Sequence, residues 1–300
     1  MTRQMPDSYA EADYQRVAEP AGQPRYLEGT QIEIVHPLAR RTPPRHVLFD
    51  FDGTLSLIRE GWPEVMVPMM VEVLRATGTS ETPAELSQRA GDFVMELNGK
   101  QTIYQMIRLA EEVSNRGSIP LDPAVYKQMY HDRLLARIGD RRQRLCAGDV
   151  TPAEMMVPCS FELLDGLLER GAAVYLASGT DQAYVDDEAR LLGLDRYFGE
   201  NIYGAIDDYK NFSKAMVIER ILARNKIDGT ELLGFGDGYV EIHNIKAVSG
   251  MAVAVASDEA GRSGRPDPWK RDRLIGAGAD LVIPDYREHE ALIRFLWNES

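Results

Sequence analysis

Short apolar runs that stop at glycine, hydroxyl or acid recur along this chain and alternate with longer stretches of helical period. The runs are His46 to Phe49, Ala172 to Ala177, Glu231 to Phe235, Gly250 to Ala256 and Ala279 to Pro284. Compact segments rich in β-branched and aromatic residues, closed by turn residues, predict buried strands. Gln31 to Val35 adds a short strand, and Arg196 to Ile206 an irregular strand-like stretch. Between them, helical patterns run from Thr151 to a stop at Gly171, from Thr180 and Asp181 through Leu192, from Ser213 through Leu222, and from Glu288 to Trp297. Strands alternating with helices predict an α/β fold built on a doubly wound parallel sheet.

One region breaks the alternation. After Leu55 the pattern is helical for about a hundred residues with no strand: Trp62 to Thr77, Pro83 to Leu97, Thr102 to Val113 and Pro123 to Ile138, separated by Gly, Pro or polar breaks. Residues 58–150 therefore read as an inserted helical unit whose Met and aromatic positions form its own core, and residues 32–57 with 151–300 as the main domain. Residues 1–31 are polar, contain several Pro and Gly, and read as a mobile extension. Arg40 to Arg45 reads as an extended lead-in to the His46 strand, because Pro43 and Pro44 exclude a helix. Its arginines read as solvated.

Composition narrows the class of partner. With 300 residues, 44% hydrophobic and 27% charged, the chain can bury a large core. A net charge of −13 repels nucleic acid and anionic membrane, which leaves a small molecule as the expected partner. No apolar run approaches a membrane span and the N-terminus lacks a signal-peptide core, so a soluble cytoplasmic protein is expected. Cys146 and Cys159 have no motif spacing and read as ordinary thiols, and the histidines have no ligand spacing.

The chemistry gathers at the strand ends. The His46 strand runs into Asp50-Phe51-Asp52-Gly53-Thr54-Leu55, and two aspartates so close repel unless a cation sits between them or one holds a proton. The Ala172 strand ends in Ser178-Gly179-Thr180-Asp181; Ser178 is a neutral donor at the strand end, the Gly179 amide opens toward the following helix, and Thr180 and Asp181 suit the helix cap. Lys214 follows the capping Ser213, an unfavourable place for a cation and so one with a use. The Glu231 strand ends in Gly236-Asp237-Gly238, with Glu241 one helical turn on.

These four segments, in this order, resemble the four motifs of the haloacid dehalogenase (HAD) superfamily. The resemblance implies a Rossmann-like core with a C1-type helical cap inserted after the first motif as a lid. It implies that Asp50 is the nucleophile and Asp52 the acid and base. Ser178 and Lys214 would complete the catalytic set, with the amides of Phe51 and Gly179 on the phosphate. It further implies Mg²⁺ held by Asp50, the main-chain carbonyl of Asp52, Asp237 and Glu241, the last directly or through water. Arg59 and Lys100, at the hinge and in the polar break of the cap, are candidates to bind an anionic or polyhydroxylated part of the substrate.

The function so implied is Mg²⁺-dependent hydrolysis of a small phosphorylated metabolite, such as a sugar phosphate, through an aspartyl phosphate. A phosphosugar mutase similar to β-phosphoglucomutase shares every core motif and is the alternative, and a non-catalytic phosphate-ligand-binding protein a weaker one. Asp52 stands where phosphatases of the superfamily resemble one another and its dehalogenases and phosphonatases differ, which directs the expectation to phosphate esters.

Overall fold

The computed structural model describes residues 13–36, 42–206 and 208–299. Its described strands are β1 (Glu33–Ile34), β2 (His46–Phe49), β3 (Ala173–Asp181), β4 (Ile202–Ala205), β5 (Leu232–Gly236), β6 (Met251–Val255) and β7 (Leu281–Ile283). They form one sheet in the order β1-β7-β6-β5-β2-β3-β4. All neighbours are parallel except β1, which lies antiparallel on β7 at the edge. The sheet is thus mixed at one edge, and doubly wound otherwise.

The two-residue period of β2 assigns its side chains to opposite faces. Val47 and Phe49 enter one core, where Phe49 stacks on Phe235 with ring centroids 4.8 Å apart. Leu48 enters the other core with Tyr175, Leu232 and Ala252. Helices cover both faces. On the Phe49 side lie α5 (Ser160–Glu169), α6 (Gln182–Leu191), the short α7 (Asp195–Phe198) and α11 (His289–Leu296). On the Leu48 side lie α8 (Lys214–Asn225), α9 (Tyr239–Ala247) and α10 (Pro268–Gly276). Parallel strands between two helical layers carry their loops at their carboxyl ends, where ligand crevices form.

Between β2 and α5 the chain forms the helices α1 (Pro63–Arg75), α2 (Pro83–Glu96), α3 (Thr102–Asn115) and α4 (Pro123–Ala147). Their facing residues, among them Met69, Met70, Leu86, Phe93, Met106, Leu109 and Leu134, are buried. The two connections to the main domain pair with each other: Leu57 N donates to Met155 O and Val157 N to Leu55 O, both at 2.9 Å.

Several elements differ from the expectation. The helix expected from Thr151 to Gly171 is two pieces, a 3-10 turn at Pro152–Met155 and then α5. Pro158 and a left-handed Cys159 (φ 62°) interrupt it, and the backbone between serves the hinge pairing instead. Helix α4 continues nine residues past Ile138. Its polar end is held by Arg141, which donates to the carbonyls of Ile58 and Glu60, and by Arg142, paired with Asp187. Part of the expected irregular strand is the helix α7. Lys270, Arg271 and Arg273 lie on α10, for which the Asp267 N-cap and Pro268 are a readable start signal.

The extension expected over residues 1–31 falls outside the described residues for 1–12, as do Arg40 and Arg41 of the lead-in. Residues 13–31 contact the main domain. Val17 N donates to Gly276 O at 2.7 Å, Tyr14 packs edge-on to Tyr239, and Arg16 pairs with Asp272 at 2.9 Å.

Candidate active site

The turn after β2 is built backward onto itself: the amides of Leu55 and Ser56 both donate to Phe51 O at 2.9 Å, and Gly53 N donates to Ser56 O. Gly53 takes φ +74°, and a methyl group there would also strike Asp237 Oδ2 at 2.2 Å, so only glycine suits both demands. Asp50 and Asp52 project from this turn into a cavity of about 80 Å³ between core and helical insertion.

Asp50 is buried, and Lys214 Nζ reaches its Oδ1 at 2.6 Å. The same Nζ bonds Glu241 Oε1. Ser213 caps α8 by accepting from Met216 N, which sets Lys214 in the first turn aimed at the sheet end. Burial pushes the Asp50 carboxyl up to about 6, restrained by Lys214 and aided by Asp237. The Phe51 amide, expected on a phosphate, is turned toward the Asp50 carboxylate.

Asp52 sits differently. Thr180 Oγ1 donates to its Oδ2 at 2.9 Å, Arg59 Nε lies 3.8 Å from its Oδ1, and Oδ1 has no hydrogen-bond partner. A quarter of the side chain faces the cavity. Burial raises its pKa to about 7, against Arg59 and with Glu188 and Asp50 adding to the rise. Two carboxylates two residues apart thus meet a lysine on one side and a hydroxyl on the other, the kind of environmental split that separates nucleophile from acid.

Ser178 ends its stretch of β3 buried, accepting from Thr180 N at 3.1 Å, an arrangement in which its own hydroxyl proton can donate into the cavity. Neither expected cap of α6 forms: Thr180 turns to Asp52, and Asp181 pairs with Lys127 of α4 at 2.5 Å. Each side chain takes the stronger, more buried partner over the amides of the helix.

The insertion reaches this cluster with its polar break. A methyl group on Gly179 would come within 2.9 Å of Lys100 O, one on Gly238 within 2.8 Å of Gly99 Cα, and Gln101 Nε2 donates to Phe212 O at 2.8 Å. Arg59 and Lys100 both line the cavity. Arg59, however, is buried and forked onto the fully buried Glu188 at 2.8 to 3.2 Å, and Lys100 donates to Asp13 at 2.7 Å.

Asp237 lines the cavity too, its amide held by Thr54 Oγ1 at 3.0 Å and its Oδ2 by Lys270 Nζ at 2.8 Å. Lys270 also bonds Glu259 Oε1 at 2.6 Å. Thr180, Glu188, Glu259 and Lys270 escaped the sequence reading. Only Thr180 had a local signal, its place beside the β3 motif.

A family model for haloacid dehalogenase-like hydrolases matches residues 44–248, from the approach to β2 through α9. The chain belongs to this family. As a HAD-like hydrolase it has its insertion where a cap is expected, and the fold is that of solved relatives. A HAD family hydrolase of Deinococcus radiodurans, solved with bound phosphate and sodium, matches with a TM-score of 0.52 and 18% identity over 85% of this chain and 97% of that one. A family IA HAD hydrolase of Entamoeba histolytica matches at 0.55 and 16%, over 84% and 99%. A β-phosphoglucomutase of Clostridium difficile matches at 0.55 and 11%, over 85% and 98%. No curated protein matches the chain. Among the described residues no helix is long and apolar enough to cross a membrane.

The family implies a divalent metal, and the donor set can be tested against it. Among the described residues no three acidic, His or Cys side chains converge as a cage. Mg²⁺ does not need one, because it keeps several waters and takes one or two carboxylates with substrate oxygens. Asp50 and Asp237 share the cavity, and Asp237 helps raise the Asp50 pKa. That mutual repulsion between hard oxygen donors is what a cation relieves. The residues fit. Glu241, expected at the metal directly or through water, holds Lys214 through Oε1, keeps Oε2 without a hydrogen-bond partner, and lines a smaller cavity behind Asp50 with Gly234 and Ile245.

Proposed function

We propose that this HAD-like hydrolase is a Mg²⁺-dependent phosphomonoesterase that works through an aspartyl phosphate on Asp50. The observation that carries the reading is the division of labour between Asp50, held ionised against Lys214, and Asp52, raised to about 7 beside Thr180. A nucleophile must be an anion and a general acid must hold a proton near neutral pH.

In the first step an Asp50 carboxylate oxygen attacks phosphorus in line, and the ester P–O bond breaks. Asp52 gives its proton to the departing alkoxide. In the second step Asp52 takes a proton from a water that attacks the phosphorus, and the Asp50–phosphorus bond breaks to release inorganic phosphate. Lys214 and the Ser178 hydroxyl offset charge on the phosphoryl oxygens, with the Gly179 amide beside them. The docked cap limits bulk water in the cavity. Asp50, Asp237 and the carbonyl of Asp52 would hold Mg²⁺, which supplies charge neutralisation when bound.

The test is phosphate release from a panel of monoesters with and without Mg²⁺. Release that is lost with chelator, and lost in Asp50→Asn while the fold persists, supports the reading. Release from haloacids or phosphonates instead, or full activity in Asp50→Asn, removes it.

A further inference from the structure

Among the described residues, every cation around the cavity faces a carboxylate. Arg59 is held by Glu188 and Asp52, Lys214 by Asp50 and Glu241, Lys270 by Asp237 and Glu259, Arg141 by Glu60, and Lys100 by Asp13, so five cations meet eight carboxylates, a formal excess of three negative charges. Mg²⁺ and the dianionic phosphoryl group of a monoester cancel each other and leave that excess in place. A second anionic group on the substrate would enter a field of its own sign with no unengaged cation among the described residues to receive it.

The rest of the cavity wall is neutral and able to hydrogen-bond. Trp62 and Tyr130 present aromatic bodies with polar edges, and Asn98 and Thr102 present an amide and a hydroxyl. The space of about 80 Å³ is well below the roughly 300–1,000 Å³ of drug-sized sites, which favours a small substrate.

We infer that the substrate is the monophosphate of a small uncharged polyol or sugar, recognised by hydroxyl groups, and that the site holds one phosphate and not two. The inference rests on the phosphomonoesterase reading. It changes the expectation for Arg59 and Lys100, whose charges are compensated within the protein. It also separates the hydrolase from a mutase, since handing a phosphoryl group back to a sugar phosphate passes through a bisphosphate and needs a second anion site.

One ion pair provides the lever. Asp13 is 81% exposed while Lys100 is buried, so Asp13 is the partner that can be removed without opening the core. The experiment compares kcat/KM for glycerol 3-phosphate and a pentose 5-phosphate with that for phosphoglycolate and a hexose 1,6-bisphosphate, using p-nitrophenyl phosphate as reference. The neutral-group esters are expected to lead by roughly tenfold, the scale of one unfavourable charge contact at a partly screened site. Asp13→Asn is expected to raise phosphoglycolate relative to glycerol 3-phosphate about fivefold by freeing Lys100, and Lys100→Met in that background to abolish the gain. Turnover of the nitrophenyl ester with anionic esters equal to or ahead of neutral ones would overturn this inference and leave the phosphatase reading standing. An unchanged ratio in Asp13→Asn would likewise overturn it, and no release from any ester would overturn both.

Discussion

Thr180 Oγ1 donates to Asp52 Oδ2 at 2.9 Å, and the other oxygen of that carboxylate has no hydrogen-bond partner. The hydroxyl is therefore what fixes the rotamer of the proposed acid. In Thr180→Val the shape is kept and the bond is lost. Protonation of the leaving group should weaken, slowing sugar or polyol phosphates by roughly 10–100-fold, the scale of general acid–base catalysis, and p-nitrophenyl phosphate much less. The bond also lowers the Asp52 pKa, so its removal should move the alkaline limb of kcat/KM to higher pH. Equal slowing of both esters with an unmoved limb would take Thr180 out of this role.

The raised Asp52 pKa also has a cost in stability. A carboxyl that moves from 3.8 to about 7 on folding binds more protons folded than unfolded between those values. Stability linked to it is fully present below pH 3.8 and is lost as pH rises to about 7. Asp52→Asn does not titrate, so the mutant should gain melting temperature over wild type as pH climbs through that window. Thermal scans at pH 5 and pH 8 measure it; a smaller difference at pH 8 than at pH 5 would contradict the sign.

The strand ends were legible because a buried parallel strand must be apolar to its last residue and the chemistry begins at the next, as in Phe49 followed by Asp50. The pairings across the site were not. Glu188 is a fully buried acid in α6, and nothing near it in sequence announces that Arg59, 129 positions earlier, forks onto it. Lys270 meets Asp237 and Glu259 only because α10 packs beside β6. Sequence spacing locates residues on elements; tertiary packing alone decides which opposite charges meet. Thr180 and Asp181 show the same limit, since local capping preference lost to buried partners that a local reading does not see.

Lys214 lies between two buried carboxylates, Asp50 and Glu241. Removing it by Lys214→Met leaves both uncompensated, which should cost about 3–5 kcal/mol of stability as well as activity. Lys214→Met with Glu241→Gln removes one of the stranded charges. Denaturant melts should then show a large part of the stability restored while turnover stays absent. If the double variant recovered turnover, the lysine would be structural only.

Gly179 has an ordinary backbone conformation, so alanine there costs nothing intrinsically, yet its methyl group would lie 2.9 Å from Lys100 O and 3.2 Å from Gln101 Cα. Both are backbone atoms of the cap and have no rotamer by which to yield. The methyl group therefore acts as a wedge between the β3 turn and the cap, and the least costly response is a cap held slightly away from the core. Loss of the docked cap exposes Asp52 to solvent and loosens the wall around the leaving group. We expect kcat/KM to fall at least tenfold in Gly179→Ala with the melting temperature nearly kept, a misplacement effect of the size seen when catalytic geometry shifts by about 1 Å. Gly91→Ala is the control: it lies in α2 with no atom within 4 Å of its would-be methyl group, and should gain about 0.5–1 kcal/mol from helix propensity alone with turnover intact. Hydrogen exchange at residues 98–102 reads the wedge directly, because their amides should exchange faster in Gly179→Ala and not in Gly91→Ala. Full turnover in Gly179→Ala would mean that the close approach of Lys100 to this turn plays no part in the reaction.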